Sequence, residues 1–214
     1  MRKLIVTTMI TIDGVMQAPG GSKEDTREGF KYGGWTGPYN DDFTEKVFAK
    51  DMSGQFDLLL GHKTYEIFAG YWPQHADGWP RINEVTKYVA SHDSSLKLAW
   101  ENSVLLTGNV VNEVKKLKKE DDPDLEVWGS SNLIQTLLKH NLVDELWLKI
   151  YPITLGTGKR LFAEGTVPVA FKLTDSRISP KGVIFANYKR VGDIQTGSKE
   201  FAAKEQKPIE SIYE

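Results

Sequence analysis

The chain has 214 residues, of which 40% are hydrophobic and 26% are charged, and its formal net charge is −2 at pH 7. These values predict one sizeable globular domain and provide no basic field that would attract nucleic acid. The chain has no cysteine, which excludes disulfides, thiolate nucleophiles and zinc–thiolate sites, and its four histidines are too scattered to form a local metal motif. We therefore expect neither a nucleic-acid partner nor a metal.

Residues 4–12 are rich in β-branched side chains and predict a buried first strand that begins almost at the amino terminus. No apolar run reaches the roughly 18 residues that a membrane-spanning helix needs. We therefore predict a cytoplasmic protein with no membrane partner.

A long loop and a helix follow the first strand. The loop, 15–40, contains several glycines and prolines and is longer than packing alone requires, so we predict a mobile lid. The pattern then predicts a helix that is capped within Asn40-Asp41-Asp42 and ends at Met52, with Glu45 near the edge of its apolar face.

Two stretches share one local pattern, an apolar strand that runs through small residues into a helix. The first is the strand 57–61, which leads into Gly61-His62-Lys63-Thr64. The second is the strand 125–129, which leads through Gly129-Ser130-Ser131 into a helix at 133–142. Such junctions leave helix N–H groups unpaired and the positive end of the helix dipole exposed, which suits an anion.

The remaining elements complete an alternating order. Their predicted bounds are strands at 86–90, 103–106 and 144–150, a helix from Val110 to Leu117, and a closing hairpin at 170–179 and 182–190. Strands that alternate with helices predict the α/β class, with a mostly parallel sheet and an antiparallel C-terminal hairpin. We assign residues 1–190 to one domain and 191–214 to a loosely attached polar tail.

Both junctions are expected at the carboxyl edge of one sheet, where open α/β folds bind ligands. Two facing helix N-termini suit a pyrophosphate, with hydroxyls from Thr64, Ser130 or Ser131 and charge from Lys63. Ser91 and His92 end the next strand and can hold a 2′-phosphate, which would indicate NADPH. The alternatives from the residues alone are an ordinary N-cap at Ser130 and a plain strand end at Ser91.

Further polar residues are candidates for the substrate. Asp13 either faces the substrate or closes its turn. Gly156, Gly158 and Lys159 lie in a Gly-rich basic turn that either receives a substrate phosphate or only reverses the chain.

Five motifs in order resemble those of the dihydrofolate-reductase-like superfamily. They are Thr11-Ile12-Asp13-Gly14, Leu60 to Tyr65, Val127 to Ser131 with Leu133, Leu142 to Leu146, and Pro152 with Leu155 to Phe162. Within the superfamily, the chain is similar to the C-terminal reductase domain of the bifunctional riboflavin-biosynthesis deaminase/reductase and its stand-alone relatives. The resemblance covers about residues 2 to 190.

The resemblance implies a three-layer α/β/α domain, usually dimeric, that binds NADPH between the two junctions. It assigns cofactor binding to one set of residues: Gly61, His62, Lys63, Thr64, Ser91, His92, Gly129, Ser130, Ser131 and Leu133. His62 stands where the family commonly has arginine, which weakens one expected phosphate contact. The resemblance also makes Glu45 the candidate acid that binds the heterocycle or donates a proton. Asp41 and Asp42 are rival candidates, and the alternative is that Glu45 is an ordinary solvated carboxylate of the helix.

The function implied by this resemblance is NADPH-dependent reduction of a small heterocyclic substrate, similar to 5-amino-6-(5-phosphoribosylamino)uracil reductase. One alternative is dihydrofolate reduction. Another is a catalytically idle nucleotide-binding dimer, which His62 and the uncertain acid in the substrate pocket favour.

Overall fold

The computed structural model describes residues 1–197, and the part of the predicted tail from residue 198 onward lies outside the described residues. Eight strands form one sheet: β1 (Leu4–Thr11), β2 (Phe56–Gly61), β3 (Lys87–Ala90), β4 (Ser103–Leu106), β5 (Asp124–Trp128), β6 (Glu145–Tyr151), β7 (Ala170–Ile178) and β8 (Ile184–Gly192). Four α-helices accompany them: α1 (Asp42–Met52), α2 (His62–Ala69), α3 (Val110–Leu117) and α4 (Ser131–Lys139).

The sheet has the strand order β4-β3-β2-β5-β1-β6-β8-β7. The first six strands in this order run parallel, whereas β8 pairs antiparallel with both β6 and β7. The predicted α/β class, with a mostly parallel sheet and an antiparallel hairpin at its edge, is thereby confirmed.

Helices cover both faces of the sheet because the central strands are apolar on both sides. On β2, Leu59 packs with apolar residues of α3 and α4, whereas Leu58 and Leu60 pack on the opposite face with α1 and α2. The result is the three-layer α/β/α arrangement. Among residues 1–197, no helix combines the length and the apolarity needed to cross a lipid bilayer.

Two elements, α4 and β8, differ from their sequence-based bounds by two residues or more, and most of the other strands differ by one residue. Helix α4 begins at Ser131 and ends at Lys139, because Asn141 turns the chain with a φ of 55° and the Leu142 N–H returns to the Leu137 carbonyl. Strand β8 continues two residues beyond the predicted domain end at residue 190, to Gly192.

Candidate functional site

The two strand-to-helix junctions lie side by side because β2 and β5 are neighbouring parallel strands. The backbone N–H of Gly61 donates a hydrogen bond of 2.8 Å to the Oγ of Ser130. A Cβ at position 61 would lie 3.2 Å from that same oxygen. Glycine at 61 therefore permits the close approach that joins the two junctions.

The helices that begin at these junctions lack side-chain caps. Helix α1 is capped by the Asp41 side chain and α3 by the Asn109 side chain, but α2 and α4 receive no such hydrogen bond from Gly61 or Ser130. Their first N–H groups are therefore not claimed by a capping side chain. This difference favours an anion site over the ordinary N-cap that the sequence left open.

Left-handed backbone shapes the second junction. Gly129 has a φ of 66° and Ser130 a φ of 69°, a conformation that costs a non-glycine residue energy. A Cβ on Gly129 would stand 3.8 Å from both Cγ2 and Oγ1 of Thr64. The gap between the two junctions is thus kept open by the missing side chain at 129.

One cavity of about 1800 Å³ adjoins both junctions. All ten residues that the resemblance assigns to the cofactor line this cavity: Gly61, His62, Lys63, Thr64, Ser91, His92, Gly129, Ser130, Ser131 and Leu133. Glu45 and Lys159 also line it, whereas Asp13, Asp42, Gly156 and Gly158 do not. The loop 15–40, predicted to form a lid, contributes residues 16–25 to the lining, together with Arg27, Thr36, Gly37 and Asn40.

A polar cluster lies where β3 ends beside α2. The Oγ of Ser91 is 3.4 Å from Nδ1 of His62, and the imidazole Nε2 is 3.4 Å from Glu66. Lys63 also pairs with Glu66 at 3.0 Å, and its hydrogen bond is the main cause that lowers the pKa of this carboxyl. His62 and Lys63 therefore share the Glu66 carboxylate, and the Ser91 hydroxyl lies beside His62.

Asp13 has a different position from the one expected of a catalytic residue. Its carboxylate accepts hydrogen bonds from Thr11 and from the N–H groups of Leu155 (3.2 Å) and Gly156 (2.8 Å), and it pairs with Arg160 at 3.3 Å. Burial raises its pKa, but the hydrogen bonds outweigh that effect and leave the pKa below its ordinary value. These contacts are those of a residue that closes its turn, and the catalytic role of Asp13 stays a prediction.

Two backbone N–H groups of the Gly-rich turn are already paired within the protein. The Gly156 N–H is taken by Asp13, and the Lys159 N–H donates to Oε1 of Gln17 at 3.0 Å. At Gly158, a Cβ would lie 2.8 Å from a ring carbon of Phe30. These contacts fit chain reversal and close packing, and the phosphate-binding role of the turn stays a prediction. Asp42, the other predicted substrate contact, is exposed in the first turn of α1 and does not line the cavity.

An aromatic wall forms the end of the cavity next to α1. Phe48 and Met52 follow Glu45 on the cavity side of α1, and they pack against Trp72, Trp79 and Trp128. The Trp79 ring centroid lies 5.1 Å from that of Trp72 and 4.8 Å from that of Trp128. Sequence reasoning gave Trp72 and Trp79 no role in a site, although their aromatic and proline-rich setting is typical of a packed segment.

A buried ionic cluster lies behind this wall. Lys149 of β6 pairs with Asp51 of α1 at 2.9 Å, and its ammonium lies 5.5 Å from the centroid of the Trp128 ring. The Trp128 indole N–H donates to the Glu126 carboxylate at 2.7 Å. Burial is the main cause that raises the pKa of Glu126 to about 7. Sequence reasoning did not single out these residues.

Comparison with known proteins agrees with the motifs. A family model described as the RibD C-terminal domain matches residues 2–185. Among curated proteins, the uncharacterized protein YyaP of Bacillus subtilis (strain 168) is 27% identical over 194 residues, which cover 86% of this chain and 92% of YyaP. The family match confirms the predicted similarity to the C-terminal reductase domain of the riboflavin-biosynthesis deaminase/reductase.

Solved structures share the fold at low sequence identity. A Shewanella sp. PV-4 protein named for riboflavin biosynthesis has a TM-score of 0.68 at 22% identity, over 88% of this chain and 99% of its own. A pyrimidine reductase-like protein from Corynebacterium diphtheriae has a TM-score of 0.59 at 13% identity, over 90% and 93%. Dihydrofolate reductase from Enterococcus faecalis, complexed with NADP(H) and RAB-propyl, has a TM-score of 0.57 at 15% identity, over 88% and 96%.

Proposed function

The chain belongs to the RibD C-terminal domain family, and from that premise we propose that it is an NADPH-dependent reductase of a small heterocyclic substrate. Family membership supports a reductase-type enzyme related to riboflavin biosynthesis. The finer assignment of cofactor rests on one observation, that the two uncapped helix N-termini of α2 and α4 begin at the same cavity. Such a pair suits the pyrophosphate of a dinucleotide.

The residues at the junctions fit this cofactor. Gly61 and Gly129 leave room for close approach of the phosphates, while Thr64 and Ser131 offer hydroxyls at the cavity surface. Ser130 positions the second junction through its contact with the Gly61 N–H. The nicotinamide, when bound, supplies the hydride, and the protein supplies the position of the reacting groups.

A 2′-phosphate would lie at the polar cluster of His62 and Ser91. His62 offers a ring nitrogen in place of the arginine common in the family, and Lys63 adds a positive charge one residue further along. His92 lies beside Ser91 on the cavity lining. This cluster is the basis for proposing NADPH over NADH.

Glu45 is the acid that we propose to contact the heterocycle. It follows the capped start of α1 and is the carboxylate of that helix that lines the cavity, one turn before Phe48 and Ala49. This position favours it over Asp42, which lies outside the lining. A carboxyl here can hold a ring N–H or deliver a proton to the reduced ring.

The proposal predicts that NADPH stabilises the protein and that Ser91→Asp selectively weakens NADPH binding. At about 100 times its dissociation constant, NADPH should raise the free energy of unfolding by about 2.7 kcal/mol, measured by thermal melting. The new carboxylate at 91 would repel a 2′-phosphate, so the dissociation constant for NADPH should rise about tenfold while that for NADH stays unchanged.

Ser94→Asp is the matched control, because Ser94 is exposed in the same loop but does not line the cavity. It should bind both cofactors as the wild type does. A melting temperature that does not respond to NADPH at millimolar concentration would favour the idle-protein alternative. Oxidation of NADPH that depends on dihydrofolate and is lost in Glu45→Gln would instead support dihydrofolate reduction.

We also propose a homodimer formed through the β7–β8 hairpin. β7 is the outermost strand, and the hairpin exposes apolar side chains that include Leu173 (47%), Ile178 (66%) and Ile184 (39%). Light scattering should therefore report a dimer for the wild type and a monomer for Ile178→Lys. Val104→Lys, at an exposed apolar position on the opposite edge strand β4, should remain dimeric.

A further inference from the structure

Arg27 is a cation that the loop 15–40 presents to the cavity. It lines the same cavity as the first junction, and 51% of its side chain is exposed. The hydrogen bond to Asp25 is the main cause that raises the pKa of Arg27, and the charge of Glu66 on α2 raises it further. The guanidinium of Arg27 therefore borders the cavity within electrostatic reach of α2.

Hydrogen bonds hold this part of the loop in place. The buried Gln17 side chain donates to the carbonyl oxygens of Asp25 (3.2 Å) and Arg27 (3.1 Å), and it accepts a bond from the Lys159 N–H at 3.0 Å. The indole of Trp35, which is also buried, donates to the Gln17 carbonyl at 2.8 Å. Because the backbone that carries Arg27 is fixed in this way, a ligand that binds there pays little to order the loop.

Within residues 1–197, the guanidinium of Arg27 is engaged along one edge only. Its Nε and Nη2 donate to the two carboxylate oxygens of Asp25, at 2.7 and 2.5 Å, whereas Nη1 makes no hydrogen bond to any of these residues. A guanidinium has more N–H donors than one carboxylate can accept. The remaining donors suit a second anion, and phosphate oxygens match the fork of a guanidinium well.

The loop also supplies a positive charge that is not balanced by a neighbouring side chain. At the start of α2, Lys63 pairs with the Glu66 carboxylate, so these two charges cancel. On the loop side, one carboxylate, that of Asp25, is shared by Arg27 and by Lys159, whose ammonium lies at 3.3 Å. All three of these groups belong to residues that line the cavity, and together they carry a net positive charge.

We propose that Arg27 binds a phosphate group of the dinucleotide from the loop side of the cavity. The proposal rests on the proposed function, because it adds a binding residue to the same cofactor site. Arg27 carries a permanent charge, which His62 lacks when its imidazole is neutral. The phosphate is either the pyrophosphate, which NADPH and NADH share, or the 2′-phosphate of NADPH.

Arg27→Gln, which keeps a polar side chain but removes the charge, should weaken NADPH binding about tenfold in calorimetric titrations. An equal loss for NADH assigns Arg27 to the pyrophosphate, and a loss confined to NADPH assigns it to the 2′-phosphate. Arg27→Lys, which keeps the charge but not the fork, should recover part of the affinity.

Arg81→Gln is the matched control. Arg81 also pairs with a carboxylate close in sequence, that of Glu84 at 3.4 Å, but it lies outside the cavity lining. This variant should bind both dinucleotides as the wild type does. The proposal is overturned if folded Arg27→Gln binds NADPH as tightly as Arg81→Gln does.

Adenosine 2′,5′-bisphosphate separates this proposal from the proposed function, because it carries a phosphate at both ribose positions but no nicotinamide. The wild type should bind it, and Arg27→Gln should bind it about tenfold more weakly. If the wild type binds this probe but not NADPH, the proposed function fails, and the loss in Arg27→Gln still decides the role of Arg27. If the wild type binds neither ligand, both proposals are wrong.

Discussion

The free energy of unfolding should fall by up to about 3 kcal/mol between pH 4.5 and pH 7 because of Glu126 alone. Burial raises the pKa of this carboxyl from 4.5 to about 7 in the folded protein. In that interval the folded state holds a proton that the unfolded state has released, so folding is favoured at the lower pH. The contribution is fully present below pH 4.5 and is lost as the pH rises through about 7.

A Glu126→Gln variant should remove this dependence. Glutamine keeps an oxygen that can accept the Trp128 N–H but carries no charge, while Lys149 and Asp51 remain paired. Denaturant unfolding at several pH values should therefore show the variant equal to the wild type near pH 4 and more stable by up to about 3 kcal/mol at pH 8. Lys149, Asp51 and Asp124 also act on the charge of Glu126, and all three are present in both proteins. The difference in free energy of unfolding between the two proteins at each pH therefore reports the effect of Glu126 itself.

Glu145→Gln provides the matched control. Glu145 also accepts a hydrogen bond from the indole of a tryptophan two residues later, Trp147, but it lies on the partly exposed side of β6 and pairs with Lys3 at 2.9 Å. This variant should not gain stability relative to the wild type between pH 5 and pH 8. A Glu126→Gln profile parallel to that of the wild type would contradict the assignment.

Local pattern was sufficient to predict the two junctions. An apolar strand followed by Gly61 or Gly129 and then a helix is readable within about ten residues, because strand and helix periodicities change at that point. Alternation of elements then placed both junctions at one edge of a parallel sheet, and the adjacency of β2 and β5 confirms that placement.

Contacts between residues far apart in the sequence could not be predicted from local sequence patterns. Ser130 is 69 residues from Gly61, so a serine that looks like an N-cap gave no sign that its hydroxyl binds the other junction. Asp13 meets Gly156 across 143 residues, a contact that the local sequence around Asp13 does not show. Glu126 and Lys149 come near each other because β5 and β6 both flank β1, and that order follows only from the assembled sheet.

A Gly129→Ala variant should raise the dissociation constant for NADPH by about 10- to 100-fold, or about 1.4 to 2.8 kcal/mol. The added methyl group would stand 3.8 Å from Thr64, in the gap between the two helix N-termini where we place the pyrophosphate. Displaced phosphate oxygens would lose charge-assisted hydrogen bonds to backbone N–H groups, which are among the stronger ones in proteins. The measurement is NADPH titration by calorimetry, at a temperature where the variant is folded.

Backbone strain must be separated from this effect, since Gly129 has a φ of 66° and alanine there should cost about 1 kcal/mol of stability. Gly165→Ala imposes similar strain, with a φ of 81° and no atom within 4 Å of the added Cβ, at a residue outside the cavity lining. Both variants should therefore melt at lower temperature, but only Gly129→Ala should lose NADPH affinity. If the two variants bind NADPH with equal affinity, the phosphates must lie elsewhere, because a pyrophosphate between the two junctions would leave no room for the methyl group at position 129.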